Sequence, residues 1–183
     1  MGEENLAEKR RKEELLARLY DEYYDKIARY FFTRIGHQAE AEDLTGDVFL
    51  KALESLDSYK ERGVPMQAWL FKIAHNLLVD YLRKVSKQKM VSIDTMEIPD
   101  KVNLEETVEM QLQSERLSQA LKQLTPAQRE VIGLRFFAGL TSTEVGKILG
   151  KSSGAVREMQ SAAVKSLRKL MYEDMGGSIK GVK

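Results

Sequence analysis

The stretch Ser142–Ser161, STEVGKILGKSSGAVREMQS, decides how the chain is read. Val145 and Leu149 give its first half an apolar face, and Val156 and Met159 do the same for its second half at helical spacing. Gly146 falls where two crossing helices would leave room for no more than a methyl group. Gly150 falls at the turn, where a left-handed backbone suits glycine. Ser152 or Ser153 is positioned to cap the second helix through its hydroxyl. These features describe a helix-turn-helix, although Lys151 stands at a turn position that is commonly apolar. In that motif the second helix enters the DNA major groove with its N-terminal half against base edges. The outward positions are then Ser153, Arg157, Glu158, Ser161 and Lys165. Arg157 suits guanine, and Glu158 suits the amino group of cytosine. Lys147, Lys151 and Arg168 suit phosphates, which orient a protein without specifying sequence. The competing reading of the same stretch is an ordinary helical hairpin with a solvated face.

Upstream, the pattern remains helical. Thr125-Pro126 marks a helix start, with Thr as cap and Pro in the first turn. Aromatic and aliphatic residues recur at spacings of three and four from Leu19 to Phe31, and Gly36 is the expected stop. A second helix is expected from about Ala39 to Leu56, with Leu44, Val48, Leu50 and Leu53 on one side and Asp43, Asp47, Lys51 and Glu54 on the other. Gly63 and Pro65 make Asp57 to Pro65 a loop, and a third helix follows from about Met66 to Val85. Lys87 to Asn103 lacks helical periodicity and contains Pro99, with at most a short extended piece at Val91–Ile93. Helical pattern resumes near Leu104, strand-type alternation is absent, and there is no internal repeat. The expected fold is all-α: two small helical domains joined by a flexible linker. The divisions are a charged extension over 1–18, a first domain over 19–86, a linker over 87–114, a second domain over 115–172 and a flexible tail over 173–183.

Composition excludes several function classes. Among 183 residues, 43% are apolar and 31% charged, which is globular rather than disordered. The absence of cysteine rules out a disulfide framework, a thiolate zinc site and a cysteine nucleophile. His37 and His75 are the only histidines, too few for a multi-histidine metal cage, and no triad partner is spaced to serve His75. With no Gly-rich phosphate loop either, neither a cofactor nor enzymatic activity is expected. No apolar run nears the roughly 20 residues of a membrane span, and the N-terminus is charged where a signal peptide is apolar. A cytoplasmic protein without membrane insertion is therefore expected. The net charge of +1 hides an asymmetry: residues 1–86 carry −2, 87–114 carry −3 and 115–183 carry +6. A basic C-terminal third fits a module that binds a polyanion.

The third helix carries a second constellation. In WLFKIAHNLLVDYLRK, from Trp69 to Lys84, Leu70, Ile73, Leu77 and Tyr81 share a stripe, with Ala74, Leu78 and Leu82 beside it. Lys72, Asn76 and Asp80 recur every four residues on another face, flanked by His75 and Arg83. An Asn among cations, next to a loop carrying Tyr59 and Lys60, can receive an unstacked base through paired donor and acceptor groups. The same pattern also occurs on plain surface helices, and Trp69 reads more readily as core than as a base platform.

EDLTGDVFLKAL (Glu42 to Leu53), then WLFKIAHNLLVDYLRK, then LTPAQREVIGLRFFAGLTSTEVGKILGKSSGAVR (Leu124 to Arg157), in that order and separation, resemble bacterial sigma factors of the extracytoplasmic-function group. The resemblance spans about Leu19 to Lys169 and makes the first block region 2 and the last region 4. It implies that Asp43, Leu44, Asp47, Val48 and Lys51 dock on the clamp helices of the β′ subunit of core RNA polymerase, with the β flap a further partner. It also implies that Tyr59, Lys60, Lys72, His75, Asn76, Asp80 and Arg83 read the promoter −10 element and trap a flipped base. The helix-turn-helix, with Lys147, Lys151, Ser153, Arg157, Glu158, Ser161 and Lys165, would read the −35 element. An acidic linker would thread toward basic polymerase channels, and an anti-sigma factor is an implied partner. Glu158, Ser161 and Ala162 depart from residues common in the family, so promoter preference does not transfer.

Two other readings compete. LTPAQREVIGLRFFAGLTSTEV also resembles the DNA-binding domain of LuxR-type response regulators, but residues 1–110 lack the alternating strands and helices of a receiver. A helical adaptor that binds polymerase without reading DNA is the other.

Overall fold

A computed structural model of the chain describes residues 2–56, 59, 65–89 and 108–176. Among them the regular elements are helical and no strand occurs, in agreement with the all-α expectation. The chain divides into two units, Met1–Ile98 and Pro99–Lys183.

The first unit is built from α1 (Gly2–Ile35), α2 (Gln38–Ser55) and α3 (Met66–Lys89). The charged 1–18 segment is continuous, from Gly2 onward, with the aromatic-rich helix that follows it. α1 stops at Gly36, whose backbone turns left-handed at φ 74° and whose N–H donates to the Phe32 carbonyl at 2.8 Å. His37 then caps α2: its Nδ1 accepts from the Glu40 N–H at 3.4 Å, a role the sequence did not announce. Ile27, Tyr30 and Phe31 of α1 meet Val48 and Ala52 of α2 and Leu70, Phe71, Ala74 and Leu78 of α3 in a fully buried core. The Tyr30 and Phe71 rings meet edge to face at 5.8 Å, the arrangement favoured by the aromatic quadrupole.

The buried stripe of α2 differs from the expected one. Ala41, Thr45, Val48, Phe49 and Ala52 face inward, and Leu50 and Leu53 face outward. Small side chains let α2 approach its neighbours closely, and Thr45 hides its hydroxyl by donating to the Ala41 carbonyl at 2.7 Å. In α3 the buried residues are Ala68, Leu70, Phe71, Ala74, Leu77 and Leu78, while Ile73 and Tyr81 are only partly covered. The Tyr81 hydroxyl donates to the Glu40 carboxylate and so ties α3 to α2.

The second unit contains α4 (Val108–Gln123), α5 (Pro126–Ile132), a π-helical turn (Gly133–Phe137), α6 (Ser142–Leu149) and α7 (Ser153–Gly176). The expected linker is thus helical at both its ends, over 87–89 and 108–114, and the expected tail is helical to Gly176. Residues 90–107, including the extended piece proposed at 91–93, lie outside the described residues. α5 and α6 both start with reciprocal capping boxes. Thr125 accepts from the Gln128 N–H at 3.3 Å while Gln128 accepts from the Thr125 N–H at 3.1 Å. Thr141 and Glu144 repeat the pattern at 3.3 and 2.6 Å. Leu121, Leu124, Ile132 and Ala163 form a core cluster with Phe137, Val164, Leu167 and Leu170 packed against it. Val145 and Val156, one from each helix of the helix-turn-helix, are fully buried.

Gly146 is required for a reason other than a helix crossing. A Cβ there would lie 2.5 Å from the Lys151 carbonyl oxygen, because the turn folds back over α6. The Lys151 N–H donates to the Gly146 carbonyl at 2.9 Å, and Gly150 closes the turn at φ 65°. Of the two candidate serines, Ser152 is the cap: its hydroxyl accepts from the Ala155 N–H at 3.1 Å. Arg135 holds the assembly from the side, donating to Gln160 Oε1 at 2.8 Å and to the Leu140 carbonyl.

Two measurements follow from this packing. Gly146→Ala should cost about 1–3 kcal/mol through overpacking against backbone that has no freedom to move aside, read as a lowered melting temperature by circular dichroism. In the first unit, burial and a hydrogen bond to Glu22 raise the Tyr23 phenol to about 12. Burial and Glu40 raise Tyr81 in the same direction, and burial raises Tyr24. A phenol raised in the folded state lends stability that is complete below the ordinary tyrosine value of about 10 and is lost as pH climbs through the folded value. The melting temperature should therefore fall between pH 10 and 12, and less steeply in Tyr23→Phe.

Candidate nucleic-acid interface

α7 is 24 residues long, about 36 Å at 1.5 Å per residue. One side is held by Val156 and Ala163, which are fully buried. The opposite side therefore points to solvent, and Arg157, Glu158, Ser161 and Lys165 are all exposed on it, as the spacing requires. Ser153, at the first helical position, is half-buried. Lys147 at the end of α6 and Lys151 in the turn are exposed beside the α7 N-terminus, and Arg168 lies exposed further along α7. A helix set this way can lay its first turns on base edges while the flanking cations take phosphates.

In the first unit the structure separates residues that the sequence grouped together. Lys72 and Asn76 are exposed on the same face of α3. Asp80 continues that face and pairs with Arg83 at 2.9 Å, an exposed pair of little energetic weight. His75 departs from the expected reader face. It is half-buried, with Nδ1 3.5 Å from the hydroxyl of the buried Tyr30, so the i−1 position turns toward the core when Asn76 turns away. Tyr59 and Trp69 are both half-buried, with ring centroids 5.0 Å apart at 45°. Trp69 is thus only partly a core residue. Lys60 lies outside the described residues, as do residues 57, 58 and 61–64 of the same loop.

The outer side of α2 is equally informative. Asp43, Asp47 and Lys51 are exposed and Leu44 is half-buried. Val48 is completely buried between the helices, so it cannot touch a partner; its place among the docking residues is corrected. Leu50 is the outward aliphatic on this side, 60% exposed and sitting three residues after Asp47 and seven after Asp43 on the same stripe. Leu53 is 46% exposed one turn on, and Tyr20 of α1 stands partly exposed with its ring 4.8 Å from Phe49. The spacing of Ala41, Thr45, Val48 and Ala52 was the available signal that Leu50 lies off the core stripe. Larger apolar residues drew the reading the other way.

Among the described residues no cluster of three or more His, Asp or Glu is arranged to hold a metal ion, and no helix is long and apolar enough to cross a membrane.

Comparison with known proteins bears on both surfaces. The model of sigma-70 region 2 matches residues 19–88, and that of sigma-70 region 4 matches residues 120–169. The chain is 33% identical over 161 residues to the RNA polymerase sigma factor YlaC of Bacillus subtilis, covering 84% of this chain and 90% of that protein. It belongs to the extracytoplasmic-function sigma factors. It is 36% identical over 161 residues to the ECF sigma factor BldN of Streptomyces coelicolor, a match covering 86% of this chain and 60% of BldN's length. Its fold is that of sigma factor RpoE, solved with the anti-sigma factor NepR from Bartonella quintana, at a TM-score of 0.73 and 23% identity over 85% of this chain and 96% of that one. The chain is accordingly an alternative sigma factor, a DNA-binding factor of transcription initiation. The receiver-linked regulator is set aside, since region 2 occupies the place where a receiver would stand.

Val48 and Leu50 on α2 should behave in opposite ways on substitution. Val48→Asp buries an unpaired carboxylate and should cost more than about 3 kcal/mol, whereas Leu50→Asp should leave stability within about 0.5 kcal/mol. Thermal unfolding of the two variants separates them.

Proposed function

We propose that this sigma factor divides its task between its units: the first docks on core RNA polymerase and captures the −10 element, and the second reads the −35 element. The observation that carries the docking assignment is the outer stripe of α2, where Leu50 is exposed one turn beyond the exposed carboxylates of Asp43 and Asp47. Carboxylates draw in a basic helical partner, and an exposed aliphatic beside them supplies apolar area to the contact. Leu44 and Lys51 border the stripe. The β′ clamp helices are the partner this chemistry fits, with the β flap as a second contact for the helix-turn-helix unit.

For the −10 element, Asn76 and Lys72 form the exposed part of the reader. Asn76 offers a donor and an acceptor to a base edge, and Lys72 offers a charge to the adjoining phosphate. The Tyr59–Trp69 pair lies on the same unit as an aromatic surface on which an unstacked base can rest. For the −35 element, Arg157, Ser161 and Lys165 face the groove, and Lys147 and Lys151 take phosphates. The chain itself supplies no catalytic group, the chemistry being that of the polymerase, and its place of action is the cytoplasm. RpoE and CnrH, two solved proteins similar in fold to this chain, are described as complexes with the anti-sigma factor NepR and with the cytosolic domain of CnrY. An anti-sigma factor is the regulator proposed for this chain by that likeness.

Run-off transcription on fragmented genomic DNA, with bacterial core polymerase plus and minus this protein, tests the whole reading. New discrete start sites are expected only with the protein. Asn76→Ala should reduce them at least tenfold while core binding stays intact. Leu50→Asp and Asp47→Lys should weaken core binding at least tenfold with the fold preserved. Core binding without any new start sites would favour the adaptor reading instead.

A further inference from the structure

On the exposed face of α7, one residue fits poorly with a surface meant for a polyanion. Glu158 is exposed in the second turn of the recognition helix and makes no ion pair or hydrogen bond among the described residues. Its helical neighbours at three and four residues are Gly154, Ala155, Ser161 and Ala162. None can neutralise a carboxylate, and all are small. The small residues remove the side chains that would otherwise hold the helix away from the groove floor. Glu158 is thereby left as the longest group on its strip of the helix, with Arg157 and Lys165 flanking it on the exposed side.

A carboxylate brought close to DNA is repelled by phosphates and by the acceptor atoms of guanine and thymine. It is repaid only where a base offers a donor, and in the major groove the donors are the amino groups of cytosine and adenine. Resting on the assignment of α7 to the −35 element, we propose that Glu158 is a specificity-determining residue that demands cytosine at one position of that element. The carboxylate accepts from the cytosine N4 amino group, and a guanine or thymine there meets it acceptor against acceptor. Discrimination thus arises as much from rejection of wrong bases as from attraction to the right one.

The test uses holoenzyme assembled from core polymerase and the full chain, on a promoter library randomised across the −35 element with the −10 element fixed. The wild-type protein is expected to prefer cytosine about tenfold at one position. Glu158→Gln, which is isosteric and neutral, should move that preference to adenine, since an amide pairs with adenine N6 and N7. Glu158→Ala should flatten the same position, leave the others unchanged, and tighten binding to unrelated DNA. Selection at several −35 positions that is unaltered in both variants would overturn the role of Glu158 and leave α7 as the reader. A wild-type protein that selects no −35 base would instead overturn the assignment of α7, and this proposal with it. Circular dichroism of the variants excludes loss of fold as the cause, as expected for an exposed position.

Discussion

The passage of the Lys151 carbonyl across Gly146, with no room for a Cβ between them, is the constraint on which the second unit depends. It sets how tightly the chain reverses between α6 and α7, and therefore the angle at which α7 leaves the turn. Everything that makes α7 usable follows from that angle: Val145 and Val156 meet in the interior, Ser152 reaches its cap, and Arg157, Glu158 and Ser161 face outward. Arg135 reinforces the arrangement by joining the π-helical turn to Gln160 of α7 and to the Leu140 carbonyl. A DNA reader gains from such rigidity because base discrimination is lost when a side chain can swing to a second partner.

The first unit solves a different problem. A small three-helix core has to retain enough buried apolar surface while leaving free the helix side proposed to dock on core polymerase. α2 does this by spending small residues inward: Ala41, Thr45 and Ala52 occupy the interior with Val48 and Phe49, and aromatics from α1 and α3 fill the remaining volume. The larger Leu50 and Leu53 are then available at the surface beside the carboxylates of Asp43 and Asp47. The distribution inverts the usual expectation that bigger aliphatics lie deeper.

That inversion explains what could be read from the sequence and what could not. Turn and cap residues have local effects, so Gly36, Thr125-Pro126 and Gly150 were legible one at a time, and with them the helical architecture. The outward positions of α7 were legible because Val156 sets the phase of the helix, and Ala163, seven residues on, keeps the same side buried toward α4, α5 and α6. α2 and α3 carry large apolar residues on more than one side, such as the exposed Leu50, Leu53 and Val79, so the phase of their apolar residues is ambiguous by about one position. This is the error made for Val48, which is core, and for His75, which turns toward Tyr30. The role of His37 as a cap was hidden because imidazole seldom serves where Ser, Thr, Asp or Asn are preferred. The pairing of Tyr81 with Glu40 joins residues 41 positions apart, and no local pattern encodes it.

The π-helical turn at Gly133–Phe137 has an implication for chain length. Its hydrogen bonds span one residue more than those of an α-helix, as in the Ala138 N–H to the Gly133 carbonyl at 3.0 Å. The surplus residue is accommodated by a widened loop of backbone, and α5 and α6 on either side keep their own caps. Phe137 remains packed on the core while Phe136 is pushed into water. The exposed ring is thus accounted for by counting residues per turn, without invoking anything that binds it. Deleting one residue here would draw the stretch back toward α-helical spacing, with the capping boxes that start α5 and α6 left in place.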